Sequence, residues 1–238
     1  MGSLLVVYCT AVPVSRSQEA LPTAATASVP PFSHVIIVVM ENQERGQVLN
    51  SGAAPYLDSL ATQYGVADQY YGITHPSLPN YLALIGGDTF GITSDCTDCF
   101  VNSTSLADQI ESSGRTWRAY EEGMPSPCLV GDADPYAQRH NPFIYFTPIR
   151  TNKARCTADI VPFDRLGTDL AQGQLPDLAF ITPDVCHDMH DCNVSDGDRW
   201  LSTVVPTILN APVFQSSGLL VITWDEGTTN VGCCNGLA

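Results

Sequence analysis

The sequence predicts an α/β fold built on a mostly parallel central sheet, and three observations support this prediction. Three unbroken apolar runs rich in β-branched residues lie far apart in the chain, at 35–40, 178–182 and 219–224. Such runs are typical of strands that are covered on both faces, as in parallel sheets. Segments with helical spacing separate these runs, and strands that alternate with helices favour a parallel α/β sheet.

The individual elements follow from the spacing of apolar residues. At 54–64 the residues Tyr56, Leu57 and Leu60 recur at helical spacing, and Gly114 is placed to end a later helix. In chain order, the prediction is a strand at 35–40, helices at 54–64, 78–85 and 105–113, a strand at 116–120, a helix at 164–171, a strand at 178–182, a helix at 200–209 and a strand at 219–224.

Length and composition limit the class of protein. The 238 residues predict one main domain, at 32–238, after a signal-like, Ala/Ser/Pro-rich leader at 1–31. The apolar share of 44% and the charged share of 15% are the opposite of a disordered composition. The net charge of −15 argues against a nucleic-acid partner, because the phosphate backbone must be met by Lys and Arg. An anionic small-molecule substrate would need a local cation, for which a metal ion is the obvious candidate.

Cysteine usage and the N-terminus predict a secreted protein. Without Cys9, the nine cysteines become an even number, which suits a disulfide framework in an oxidising compartment. Instead of forming disulfides, Cys96 and Cys99 could belong to a zinc knuckle, because their spacing also suits one. The apolar run at 4–12 fits a signal peptide and is too short to span a bilayer, so we expect no transmembrane segment. Sequons at Asn102 and Asn193 agree with secretion.

Each of the three strong strands ends in polar residues. The first is followed by Glu41 and Asn42, the second by Pro183-Asp184, and the third by Asp225 and Glu226. In open α/β sheets the ligand site lies beyond the carboxyl ends of the strands. Three carboxylates and one amide there fit a hard divalent cation, although polar residues also simply begin loops. Mg, Mn and Ca fit the oxygen ligands, and nearby histidines keep Zn and Fe open.

The turn at 74–81 contains a candidate nucleophile. Its two prolines favour a helix that begins nearby, so Ser77 would lie just before a helix N-terminus. Free N–H groups stabilise an anion there, and a serine oxygen that also touches a metal becomes nucleophilic. The simpler alternative is that Ser77 only caps the helix.

Two histidine segments complete the set of candidates. His140 lies in one segment, and the other runs from Cys186 to Cys192 and contains His187 and His190. The spacing of His187 and His190 would also suit zinc. Alternatively, His140 and His190 bind phosphate oxygens or protonate a leaving group.

Seven segments in this order resemble the phosphoesterase family of acid phosphatases and phospholipases C, which belongs to the alkaline phosphatase superfamily. The segments are VVMENQ at 38–43, THPSLPNYL at 74–82, SLADQI at 105–110, HNPF at 140–143, ITPD at 181–184, DMHD at 188–191 and TWDEG at 223–227. The resemblance implies an alkaline-phosphatase-like α/β/α sandwich. Family members continue with further strands and helices after the late Asp-Glu pair, so the resemblance also implies a chain that is truncated at the C-terminus.

The resemblance implies a role for each candidate. A single divalent metal ion would be held by Glu41, Asn42, Asp225 and Glu226. Ser77 would attack phosphorus and form a phosphoserine, which water then hydrolyses. The remaining assignments are His140 and His190 as catalytic histidines, and His75 and Asn80 as substrate-binding residues.

The short turn with Tyr81 after the Pro-Asn pair looks like the small acid phosphatases, which hydrolyse phosphate monoesters. Two alternatives stay open: a phospholipase C or phosphodiesterase on the same scaffold, and a catalytically inactive secreted remnant. We also expect disulfides 96–99, 128–156 and 186–192, with Cys233 and Cys234 vicinal or without partners. The sequence does not define an oligomeric state.

Overall fold

The computed structural model describes residues 29–230 and contains one five-stranded sheet with the order β3-β2-β4-β1-β5. Every pairing in the sheet is parallel, as the sequence predicted. The strands are β1 (His34–Met40), β2 (Trp117–Glu121), β3 (Ile160–Pro162), β4 (Leu178–Thr182) and β5 (Gly218–Trp224).

Helices connect the strands on both sides of the sheet. The α-helices are α1 (Arg45–Val48), α2 (Pro55–Gln63), α3 (Ser77–Gly86), α4 (Leu106–Ser112), α5 (Thr147–Arg150), α6 (Lys153–Asp159), α7 (Arg165–Ala171), α8 (Val194–Leu209) and α9 (Pro212–Ser217), with 3₁₀ turns at Gln138–His140 and Pro142–Tyr145. The predicted helix at 200–209 is thus the last part of a longer one, because Asn193 and Asp196 form a capping box at its start.

Alternate side chains of the interior strand β1 enter two separate cores. Val39 packs on one face with residues of α3, α4, α5 and α6, whereas Ile36 and Val38 pack on the other face with residues of α2, α7, α8 and α9. Because successive side chains of a strand point to opposite faces, an all-apolar strand requires a cover on both. The predicted α/β/α sandwich is confirmed.

The position of β5 differs from the prediction. Its apolar run predicted a strand as buried as the other two, but within residues 29–230 it pairs only with β1 and forms an edge of the sheet. Its residues are only half-buried, and Val221 is 37% exposed. Hydrophobic patterning reports the preference of a strand for cover on both faces; it does not report which neighbours lie beside it.

Three disulfides agree with the expected pairing: Cys96–Cys99, Cys128–Cys156 and Cys186–Cys192. The zinc alternative for Cys96 and Cys99 is therefore wrong. Cys9, Cys233, Cys234 and the apolar run of the leader lie outside the described residues. From residue 29 to residue 230, no helix combines the length and apolar character needed to cross a membrane.

Candidate active site

The ends of β1 and β5 bring the predicted carboxylates together. The two strands run parallel with Met40 opposite Trp224, so Glu41 and Asp225 leave the sheet side by side. The Asp225 amide donates to the Met40 carbonyl at 3.1 Å, and the Asn42 amide faces Asp225 Oδ1 at 3.4 Å. Glu41 is fully buried, and Asp225 is nearly so.

Ser77 begins helix α3 and points into these carboxylates. Its Oγ donates to Glu41 Oε2 at 3.0 Å and lies 3.5 Å from Glu226 Oε1. The N-cap position belongs to Pro76, so the alternative that Ser77 only caps the helix is wrong. The buried hydroxyl instead lies between two acidic side chains, where a base adjoins a potential nucleophile.

His75 and Asn80 both contact Glu226. His75 Nδ1 lies 2.6 Å from Glu226 Oε2, and Asn80 Nδ2 donates to the same oxygen at 3.2 Å. Asn80 Oδ1 also accepts the amides of Ile73 and Thr74, at 2.9 and 3.2 Å. These two side chains therefore hold the turn before Ser77 against Glu226.

His140 lies buried between two acidic side chains. Its Nε2 is 3.3 Å from Glu41 Oε1, and its Nδ1 is 3.2 Å from Asp188 Oδ2. The imidazole stacks on the ring of Tyr81, with the centroids 5.5 Å apart. The histidine is therefore oriented from both ends and from one face.

His190 is more exposed, and it borders the same group. Its Nδ1 lies 2.6 Å from Asp191 Oδ1, and its ring centroid is 5.8 Å from that of His140. His187 instead contacts Glu122 and Asp184. The possible metal-binding groups within residues 29–230 never combine His187 with His190, so the structure gives the zinc alternative for this pair no support.

Burial and the charges of neighbouring groups shift the pKa of Glu41, Asp225, Asp188 and His140. Burial, then the charges of Asp225 and Asp188, raises the pKa of Glu41 well above its usual value. Burial, then Glu226, does the same for the pKa of Asp225, and burial raises the pKa of Asp188 to about 7. Burial lowers the pKa of His140 well below its usual value. The pocket therefore disfavours full ionisation unless a countercharge is present.

The donor atoms of this pocket fit a divalent cation. Asn42 Oδ1 and Asp225 Oδ2 are buried and have no hydrogen-bond partner, and Glu41 Oε1 has only the 3.3 Å contact with His140 Nε2, which is not a hydrogen bond. Donor atoms of Glu41, His140 and Asp188 also lie within 4.8 Å of one another. Buried oxygens without partners are costly, and a cation would satisfy them and offset their repulsion.

Comparisons with known proteins agree with this geometry. The family model described as Phosphoesterase family matches residues 39–230. The chain belongs to the phosphoesterase family. This confirms the resemblance carried by the sequence motifs, and it assigns the chain to a family of phosphoric ester hydrolases.

Individual relatives carry phosphatase names. The chain is 35% identical to a phosphatidylinositol-3-phosphatase of Mycobacterium tuberculosis, over 94% of this chain and 71% of that protein. It is 32% identical to an acid phosphatase of Aspergillus fumigatus, over 96% of this chain and 55% of the relative. An acid phosphatase of Aspergillus niger is 30% identical, over 88% of this chain and 54% of that protein. The chain thus spans about half the length of these fungal phosphoesterases.

Sequence reasoning gave no role to two residues of the pocket. Asp188 lies in the quoted DMHD segment, where only His190 was assigned, and it is fully buried beside His140. Asp95 accepts the Leu78 amide at 2.9 Å, at the start of the helix that Ser77 begins. The sequence did offer a signal for Asp188, because this acidic residue lies beside two histidines between Cys186 and Cys192. For Asp95, the sequence contains no comparable signal.

We expect Asp188→Asn to lower kcat/KM for phosphate-ester hydrolysis by about 10- to 100-fold, because it removes the carboxylate that orients His140. Steady-state kinetics and the melting temperature together test this expectation. Asp164→Asn is the matched control, since Asp164 is exposed and its side chain makes no capping hydrogen bond at the start of helix α7. Equal losses in both variants would contradict a specific role of Asp188.

Proposed function

We propose that this chain is a secreted, metal-dependent acid phosphatase that hydrolyses phosphate monoesters through a phosphoserine at Ser77. The observation that carries the proposal is the placement of the Ser77 hydroxyl, 3.0 Å from Glu41 Oε2 and 3.5 Å from Glu226 Oε1. A hydroxyl against two carboxylates, on the first residue of a helix, has both a proton acceptor and a positive dipole end nearby.

Each residue of the pocket has a separate role in the proposed reaction. Ser77 Oγ forms a bond to phosphorus as its proton moves to a neighbouring carboxylate, and the bond from phosphorus to the ester oxygen breaks. The departing oxygen takes a proton from the histidine side of the pocket, where His190 is the more exposed of the two rings. Water then attacks phosphorus, releasing inorganic phosphate and restoring the Ser77 hydroxyl.

The Glu41, Asn42, Asp225 and Glu226 side chains would hold one divalent cation. When bound, the cation neutralises charge on the phosphoryl oxygens and lowers the pKa of the nucleophile. The buried oxygens without hydrogen-bond partners on Glu41, Asn42 and Asp225 support this ligand set. His140 and Asp188 lie beside these ligands, since His140 contacts both Glu41 and Asp188.

Monoesters are the proposed substrates because the relatives described above are named phosphatases. Secretion is supported by three disulfides, which persist in oxidising compartments. The catalytic domain is proposed to occupy 32–238, after a cleaved leader.

The decisive experiment compares hydrolysis of p-nitrophenyl phosphate with that of bis(p-nitrophenyl) phosphate. Both would be assayed at acidic and neutral pH, with and without a chelator, and after readdition of Mg, Mn, Ca or Zn. We expect monoester turnover that the chelator abolishes and one cation restores. Diester preference would favour the phosphodiesterase alternative, and a folded protein without turnover on either substrate would contradict both.

A further inference from the structure

The charged partners of the arginines single out Arg139. Of the eight arginines within residues 29–230, six form ion pairs with carboxylates. Arg150 lies over the ring of Phe100. Arg139 has neither kind of partner in this part of the chain, although the protein carries a net charge of −15.

The side chain of Arg139 borders the candidate active site. It follows Gln138 and precedes His140 in a 3₁₀ turn, is half-buried, and directs Nη2 to His190 Nε2 at 3.5 Å. His190 Nδ1 faces Asp191 Oδ1 at 2.6 Å, so the guanidinium lies against the other ring nitrogen, Nε2. One contact of 3.5 Å to an imidazole leaves most of the five guanidinium N–H groups available.

The charges of the pocket explain why a free guanidinium matters there. The buried side chains of Glu41, Asp188, Asp225 and Glu226 repel an approaching phosphate when they are ionised. His140, His190 and Arg139 border these carboxylates, and of the three only Arg139 is charged at every physiological pH. A guanidinium also presents a fork of N–H groups that matches two oxygens of one phosphate.

We propose that Arg139 is a substrate-binding residue that contacts the non-bridging phosphoryl oxygens, and that the stronger attraction of its charge for a dianion makes the site prefer a phosphate monoester to a monoanionic diester. This inference rests on the proposed function of the same site. It adds a positively charged contact that is independent of the cation-binding side chains and of Ser77. His190 then acts as the neighbour that keeps the guanidinium turned toward the phosphate.

The test uses Arg139→Gln, which removes the charge at similar size, and Arg139→Lys, which keeps the charge without the fork. For Arg139→Gln we expect kcat/KM for p-nitrophenyl phosphate to fall about 10- to 100-fold and Ki for inorganic phosphate to rise at least about tenfold. Hydrolysis of the diester should change less than about threefold. Arg139→Lys should recover part of the phosphate affinity.

Arg199→Gln is the matched control, since it makes the same change in net charge on helix α8, where the Arg199 side chain is 75% exposed. We expect its Ki for phosphate to stay within about twofold of the wild-type value. Melting temperatures would show that both glutamine variants fold.

Monoester turnover with an unchanged Ki in Arg139→Gln would overturn the inference and leave the proposed function intact. Without wild-type turnover, binding of inorganic phosphate by calorimetry still decides the role of Arg139: weaker binding in Arg139→Gln supports it, and equal binding overturns it.

Discussion

Replacing Ser77 with alanine is expected to lower kcat for monoester hydrolysis by at least about 1000-fold while the protein stays folded. The substitution removes the oxygen that lies 3.0 Å from Glu41 Oε2 and forms the proposed covalent intermediate. Water would have to attack the substrate directly, without the position that helix α3 gives the hydroxyl. Steady-state kinetics and acid-quench trapping of the phosphoenzyme measure the two consequences.

Ser105→Ala is the matched control for Ser77→Ala. Ser105 is also a buried serine at a helix start, where it takes part in the capping box of α4. We expect this control to cost about 1 kcal/mol of unfolding free energy, with kcat little changed. A Ser77→Ala protein that retains a tenth of the wild-type kcat would rule out Ser77 as the nucleophile.

The metal-free protein is expected to lose stability as the pH rises from about 6.5 to about 8, and a divalent cation is expected to restore it. Burial raises the pKa of Glu41 and Asp225 well above the usual values, and that of Asp188 to about 7. In this window the unfolded carboxyls are already ionised, so the native state binds more protons and unfolding becomes easier as the pH rises.

The choice of pH window excludes the groups whose lowered pKa would oppose the trend. Burial also raises the pKa of Glu121 well above its usual value, which adds to the trend in the same direction. The lowered pKa of buried His140 opposes the trend only below the unfolded histidine pKa of about 6.5. The lowered pKa values of Asp108 and Asp177, which are hydrogen-bonded to Ser105 and Thr116, matter only near pH 4 or below. Neither contribution therefore changes the sign between about pH 6.5 and about pH 8.

Melting temperatures in chelator and in Mg, Mn or Ca, at both ends of this window, measure the effect. The increase caused by the cation should be larger at the higher pH. Asp225→Asn should stabilise the metal-free protein at high pH and reduce the response to the cation, because it removes one buried charge. Metal-free stability that rises with pH across the window would contradict the expected repulsion.

The sequence predicted those parts of the fold that depend on local pattern. The apolar runs of β1 and β4 identified both strands, since a parallel sheet covered on both faces demands such runs. Strand β3, at Ile160–Pro162, was missed because three residues are too few to show a period. The edge position of β5 was missed because it depends on neighbours that local pattern does not specify.

The residues of the candidate site likewise fall into those that local sequence pattern could predict and those that depend on the tertiary fold. Glu41 and Asp225 could be placed together because both directly follow strands that run in parallel. The contact between Asp188 and His140 depends on the conformation of the loop that the Cys186–Cys192 disulfide closes. In that loop the Asp188 carbonyl accepts the Glu41 amide at the end of β1, and local sequence pattern does not specify this contact. Arg139 differs from the other described arginines only in having no carboxylate or aromatic partner, and that comparison requires coordinates.

The pairing of β1 with β5 has a consequence for how the pocket is assembled in time. His34 lies opposite Gly218, so Glu41 and Asp225 meet only after the chain has closed a loop of nearly its full described length. Contacts at such sequence separation are entropically costly and tend to form slowly. During synthesis, the complete set of cation ligands cannot exist before Glu226 has left the ribosome. Acquisition of the cation would therefore report the closure of this longest loop, and a refolding experiment followed by cation binding would time it directly.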